Sequence, residues 1–204
     1  MIRVKICGVM AIEDAVAAAE LGASAIGLLF WPGSPRCVER ERARAIVKAL
    51  PPFVSAVGVF VDQIDEAAEI APDLGLAAVQ FHGDEPPASY RDFPVPVIKS
   101  VAVCDESAQA DAAAVPADAT VLLDASDPVR RGGTGRVIDW TIAAAIARSR
   151  RTILSGGLSP LNVAGAISAV RPYAIDVSSS VESSPGKKDH AKLRALFAAL
   201  AGGK

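Results

Sequence analysis

The 204-residue sequence lacks several features, and each absence excludes a class of protein. Its three cysteines, Cys7, Cys37 and Cys104, are too few and too scattered for a disulfide framework. Their spacing fits no zinc module and suits a reducing cytosol. Neither sign of charge dominates: 21 Lys and Arg against 23 Asp and Glu leave −2. Such a balance gives no reason to expect nucleic acid or an anionic membrane as partner. No apolar run reaches the roughly 18 residues of a membrane span. The first charges, Arg3 and Lys5, fall inside a strand-like run, with no secretory n-region or h-region before them. There is no histidine pair or carboxylate cluster to hold a catalytic metal. No Walker-type loop points to a nucleoside triphosphate, and no linker or charge block divides the chain. With 51% hydrophobic and 22% charged residues, the expectation is one core-forming cytoplasmic domain over 1–204.

What is present is alternation. Short apolar runs at 3–7, 25–30, 54–61, 78–81, 97–101, 120–124, 152–155 and 173–177 alternate with Ala-rich helical stretches. Those stretches fall near 12–21, 39–50, 64–71, 106–114, 139–148, 161–170 and 189–200, with a proline-started segment at 87–91. Strand-then-helix repetition means βαβ crossovers and a parallel sheet. Eight such units predict an α/β fold, a single closed (β/α)8 TIM barrel rather than an open doubly wound sheet. The chain is short for that fold, which typically takes roughly 250 residues. Ser159-Pro160 supplies an N-cap hydroxyl and a first-turn proline for the seventh helix. Met10 and Ala11 stand where the first helix would want a hydroxyl.

Strand period two then sorts the side chains. Ile2, Val4 and Ile6 share one face and should meet the helices, so Lys5 and Cys7 point into the barrel. Val79 and Phe81 oppose Gln80 and His82, and Asp176 opposes Ile175 and Val177. Asp124 ends the sixth strand. These polar groups collect at strand carboxyl ends, where barrel enzymes build their sites. Cys7 reads as a small buried hydrophobe or as thiolate, nucleophile or base, with Lys5 nearby to lower its pKa. Asp124 reads as a turn-capping aspartate or a general acid or base, with a glycine run, Gly132-Gly133-Thr134-Gly135, following it. Gly156-Gly157 after the seventh strand and Ser178-Ser179-Ser180 after the eighth occupy the usual phosphate-binding loops of the fold. Arg36 could clamp a carboxylate with both prongs or be a solvated surface residue. His82 could reach substrate or simply close its strand.

Six motifs stand in order along nearly the whole chain. They are Lys5-Ile6-Cys7-Gly8, Phe30 with Ser34-Pro35-Arg36, and Gln80-Phe81-His82-Gly83. Then come Asp124 with the glycine run and Asp139-Trp140, Gly156-Gly157-Leu158 with Pro160 and Asn162-Val163, and the last set. That last set is Asp176-Val177-Ser178-Ser179, Val181-Glu182 and Pro185-Gly186-Lys187-Lys188-Asp189. Together they resemble the phosphoribosylanthranilate isomerase family of tryptophan biosynthesis, and the resemblance implies a barrel that carries out a cofactor-free Amadori rearrangement of N-(5-phosphoribosyl)anthranilate, as monomer or homodimer. It implies Cys7 as general base and Asp124 as general acid, with Arg36 on the anthranilate carboxylate. Gly156, Gly157, Ser178 and Ser179 would lie at the phosphate, with His82 and Asp176 close to the substrate. Ser180 stands where the family usually has glycine, and Met10 where it usually has threonine. The competing readings are another phosphate-binding barrel enzyme, such as the related isomerase of histidine biosynthesis or a pentose-phosphate epimerase, and a non-catalytic sugar-phosphate-binding barrel.

Overall fold

In the computed structural model, which describes residues 2–125 and 137–202, eight parallel strands close on themselves in chain order. They are β1 (Arg3–Cys7), β2 (Ala25–Leu29), β3 (Ser55–Phe60), β4 (Ala78–Phe81), β5 (Val97–Ala102), β6 (Thr120–Asp124), β7 (Thr152–Leu154) and β8 (Ala174–Val177). The ring is sealed where β1 pairs with both β2 and β8. Outside it lie α1 (Ile12–Glu20), α2 (Arg40–Ala49), α3 (Ile64–Leu74), α4 (Ser107–Ala114), α5 (Trp140–Ser149), α6 (Val163–Val170) and α7 (His190–Gly202). The Gly132–Gly135 run lies outside the described residues.

The two faces of the strands separate as alternation predicts. Val4, Ile6, Val79, Phe81, Val121, Leu123, Ile175 and Val177 join the large core between strands and helices. Val57, Ile98, Leu122, Ile153 and Ala174 form a second apolar cluster inside the barrel. That inner plug stops one step below the mouth, where Cys7, Asp124 and Asp176 project. The barrel therefore has a dry floor and a polar rim, the arrangement on which a site at the strand carboxyl ends depends.

Three departures from the sequence expectation matter for the site. Between β4 and β5 the chain makes only a 3-10 turn, Pro87–Ser89, where other units place a helix. Pro86, Pro87, Pro94 and Pro96 supply no N–H groups there, so a helical ladder is denied its donors. Tyr90 and Phe93 instead cover Phe81, with ring centroids 5.7 and 5.3 Å away. α6 begins at Val163, after a turn in which Ser159 Oγ accepts from Leu161 N and Asn162 Oδ1 accepts from Ser159 N. Ser159 thus caps the lead-in turn rather than the helix itself. Finally, the chain after β8 forms a 3-10 turn (Ser179–Val181) and an antiparallel hairpin, β9 (Glu182–Ser184) and β10 (Lys187–Lys188). Sequence reading expects only a serine run there.

Candidate active site

Cys7 sits at the carboxyl end of β1, one inward position above Lys5. Lys5 and Asp176 are register partners on adjacent strands, and Nζ lies 3.0 Å from Oδ1 with both side chains buried. Gly27 on β2 makes room for this wall. A Cβ there would fall 2.8 Å from Cys7 Sγ and 3.0 Å from Lys5 Nζ, so any side chain would collide with both. Burial would lower the Lys5 pKa, but the Asp176 carboxylate outweighs it and holds the ammonium above its ordinary value. The Cys7 thiol moves the other way from the sequence expectation. Burial pushes it up, and the opposing pull of Lys5 is insufficient because Asp176 already occupies that ammonium. The backbone beside it is pinned as well: Lys188 Nζ donates to Cys7 O at 2.6 Å and Ser178 Oγ donates to it at 3.1 Å.

Asp124 stands on β6, separated from β1 by β7 and β8. Its Oδ1 accepts from Ala125 N at 2.8 Å. Its Oδ2 lies 3.6 Å from His82 Nε2, and His82 Nδ1 lies 3.1 Å from Gln80 Nε2. Burial pushes the Asp124 carboxyl up to about 6, against the Ala125 N–H, with the Asp176 carboxylate adding to the rise. Gly156, at φ +79°, borders it: a Cβ there would meet Ile138 Cγ2 at 2.7 Å and Asp124 Oδ1 at 3.4 Å. Lys5 and Asp176 act electrostatically on both Cys7 and Asp124, so one ion pair links the two walls of the mouth.

The last two loops carry polar backbone. Gly156 and Gly157 both have positive φ, +79° and +64°, which tilts their amides in a way side-chain-bearing residues rarely allow. The N–H groups of Gly156, Gly157, Ser179 and Ser180 meet no acceptor among the described residues. Ser180, the departure from the family pattern, donates its hydroxyl to Leu158 O and so ties the loop after β8 to the loop after β7. Met10 packs on Gly186 at the β9–β10 turn, where a Cβ would strike its sulfur.

Arg36 is not a solvated arginine. Its Nε and Nη2 grip the Glu182 carboxylate, Nη2 to Oε2 at 2.7 Å, and the side chain is 12% exposed. Glu182 also accepts from Lys188 Nζ at 2.7 Å. Burial pushes the Glu182 carboxyl up, but Arg36 and Lys188 outweigh it and hold it below the ordinary glutamate value. In the sequence Glu182 and Lys188 stand out only as parts of a motif, with no signal for their role. A second missed pair, Lys99 and Glu85 at 2.6 Å, is buried where the absent helix would stand; Glu85 also accepts from Gly83 N, next to His82. No periodicity marks these four residues, since their partners lie up to 181 positions away or in an irregular connection.

The arrangement offers a carboxyl that is half neutral near pH 6, a buried thiol, and backbone amides that meet no acceptor among the described residues. Comparison with known proteins agrees. The family model for N-(5'phosphoribosyl)anthranilate (PRA) isomerase matches residues 4–199. The N-(5'-phosphoribosyl)anthranilate isomerase of Pseudomonas fluorescens (strain Pf0-1) is 47% identical over 201 residues, covering 98% of each chain. The crystal structure of phosphoribosyl anthranilate isomerase from Thermus thermophilus superposes with a TM-score of 0.89 at 42% identity, covering 99% of this chain and 100% of that one. A phosphoribosyl anthranilate isomerase solved with reduced 1-(o-carboxyphenylamino)-1-deoxyribulose 5-phosphate gives 0.88 at 40% identity, with the same coverage. Fold, motif order and full-length identity converge: the chain belongs to the N-(5'-phosphoribosyl)anthranilate isomerase family.

Proposed function

We propose that this barrel isomerises N-(5'-phosphoribosyl)anthranilate to 1-(2-carboxyphenylamino)-1-deoxyribulose 5-phosphate in cytoplasmic tryptophan biosynthesis. The observation that supports it most is the pairing of a buried thiol with a carboxyl raised to about 6 across one polar mouth. Ring opening needs a proton on the furanose oxygen as its bond to the anomeric carbon breaks. Asp124 gives that proton, and the anthranilate nitrogen lone pair makes a Schiff-base cation. The cation acidifies the hydrogen on the adjacent carbon, and Cys7 removes it in its minor thiolate form, which the Lys5 and Lys188 ammoniums favour against burial. The resulting enolamine tautomerises to the ketone. Burial that raises Asp124 serves the first step by keeping a fraction of the acid protonated near neutrality.

Phosphate on the free amides after β7 and β8 anchors the sugar, and remote binding energy becomes positioning. Arg36 takes the anthranilate carboxylate. Asp176 and His82 flank the ring, each tied to one of the two reacting groups. Among the described residues, no helix is long and apolar enough to cross a membrane.

Rescue of a tryptophan auxotroph lacking this isomerisation tests the reading, with Cys7→Ala as control. The expected result is growth without tryptophan from the parent gene alone. Failure of the parent gene to rescue, with soluble protein present, sinks the assignment.

A further inference from the structure

Glu182 lies outside the barrel strands, yet its carboxylate is buried between two cations. Oε1 accepts from Arg36 Nε at 3.0 Å and from Lys188 Nζ at 2.7 Å, and Oε2 accepts from Arg36 Nη2 at 2.7 Å. The grip is along one edge of the guanidinium, Nε and Nη2. A guanidinium is a rigid planar fork, so fixing one edge fixes the direction of the other. Among the described residues no acceptor meets Nη1. The stem is fixed too. Gly8, at φ +71°, follows Cys7, and a Cβ there would fall 2.5 Å from Arg36 Cδ; the arginine therefore lies flat on the backbone beside the thiol.

Charge counting points the same way. One carboxylate between two cations leaves one unit of positive charge. Lys188 is fully buried and spends its donors on Glu182, Cys7 O and Ser178 O, whereas Arg36 keeps some exposure. The surplus is therefore presented at the outer edge of Arg36, where an anion can meet it.

We infer that Glu182 is a positioning residue for substrate recognition: it holds the inner edge of Arg36 so that the Nη1–Nη2 edge faces the anthranilate carboxylate. This rests on the proposed function. Lys188 completes the device by bracing Glu182 from behind while holding the Cys7 carbonyl. The arm that recognises the carboxylate and the strand end that carries the base thus share one anchor.

The test measures calorimetric binding of two ligands to the full chain. One is reduced 1-(o-carboxyphenylamino)-1-deoxyribulose 5-phosphate, and the other is its phenylamino analogue without the carboxylate. Glu182→Gln removes the charge. Glu182→Asp keeps the charge that Lys188 needs but withdraws the carboxylate by one methylene, and covers the case in which the first variant does not fold. Both variants should bind the carboxylated ligand about tenfold or more weakly, because a misdirected fork misses its target. The analogue should bind within about twofold of the parent protein, and the KM should rise far more than kcat falls. Equal weakening of both ligands, or of neither, overturns the inference and makes the pair merely structural. If the parent protein itself fails to prefer the carboxylated ligand, the Arg36 assignment falls and this inference with it. Parent turnover of phosphoribosylanthranilate, measured alongside, separates either failure from failure of the proposed function.

Discussion

The two walls of the barrel mouth are built on different electrostatic plans. The Cys7 wall is crowded with compensated ions: Lys5 with Asp176 near the strand ends, and Glu182 with Arg36 and Lys188, from the loop after β2 and the hairpin after β8. The Asp124 wall carries a carboxyl with one backbone N–H and a histidine at the long distance of 3.6 Å. Ion pairs hold the first wall in place, and poor solvation tunes the second. The difference teaches that one mouth can frame a thiol with charge while holding a carboxyl partly neutral near pH 6. The Asp176 carboxylate serves both, steadying Lys5 on one side and raising Asp124 on the other.

The sharpest way to break the comparison is to delete each reacting group. Cys7→Ala and Asp124→Asn should each lower turnover by about 10²–10⁴-fold, the range of general acid–base catalysis, with circular dichroism unchanged. Parent-like turnover in either variant removes that residue from the mechanism. Lys5→Met attacks the compensated wall by leaving Asp176 alone in the barrel. It should cost about 3–5 kcal/mol in a urea titration, the usual penalty for stripping one partner from a buried pair. Adding Asp176→Leu should recover most of that loss in stability but not the activity. An additive double variant would show that the pair is not coupled.

The Asp124 wall should answer to pH instead. A carboxyl raised from 3.8 to about 6 binds its proton more tightly in the folded state. Its contribution therefore favours folding below about 4 and is lost as pH rises through about 6, a change of about 3 kcal/mol. Subtracting the stability profile of Asp124→Asn from that of the parent protein isolates this slope; a flat difference between pH 4 and 7 contradicts it. Ser180→Gly, the smallest change, removes the hydroxyl bond from the loop after β8 to Leu158 O. It should cost about 1 kcal/mol and alter KM by no more than about threefold. A larger loss of affinity would give that loop bond a direct role in holding the phosphate end.

Most of the frame can be read in the sequence because it is periodic. Alternation in Val4–Cys7, Val79–His82 and Ile175–Val177 assigns inward and outward faces, and the structure keeps those faces. Cys7, Asp124 and Asp176 are visible for the same reason: each is a polar or reactive group at the end of an apolar run. Elements whose form depends on what is nearby are less legible. α3 runs on to Leu74 through Pro72, although that proline gives up a ladder donor, and Gly75, at φ +65°, supplies the left-handed stop. The missing helix after β4 needs the cover of Tyr90 and Phe93 to be understood. Arg36 and Glu182 meet across 146 positions, and a single-sequence pattern holds no trace of such a meeting. The Lys5 effect on Cys7 has the expected sign, but local spacing does not tell how deeply the thiol is buried.

The seam between β1 and β8 has a consequence for how the protein comes into being. Lys5 finds Asp176 171 positions later, and the Cys7 carbonyl finds Lys188 181 positions later. A nascent chain leaving the ribosome therefore holds its thiol in an unfinished ring until residues 176–188 have been made. The parts fall into working order only when the closing hairpin emerges, and such long-range closure is slow compared with local helix formation. Closure of the ring and appearance of the hairpin are thus coupled, and a polypeptide truncated ahead of residues 182–188 would be inert rather than partly active.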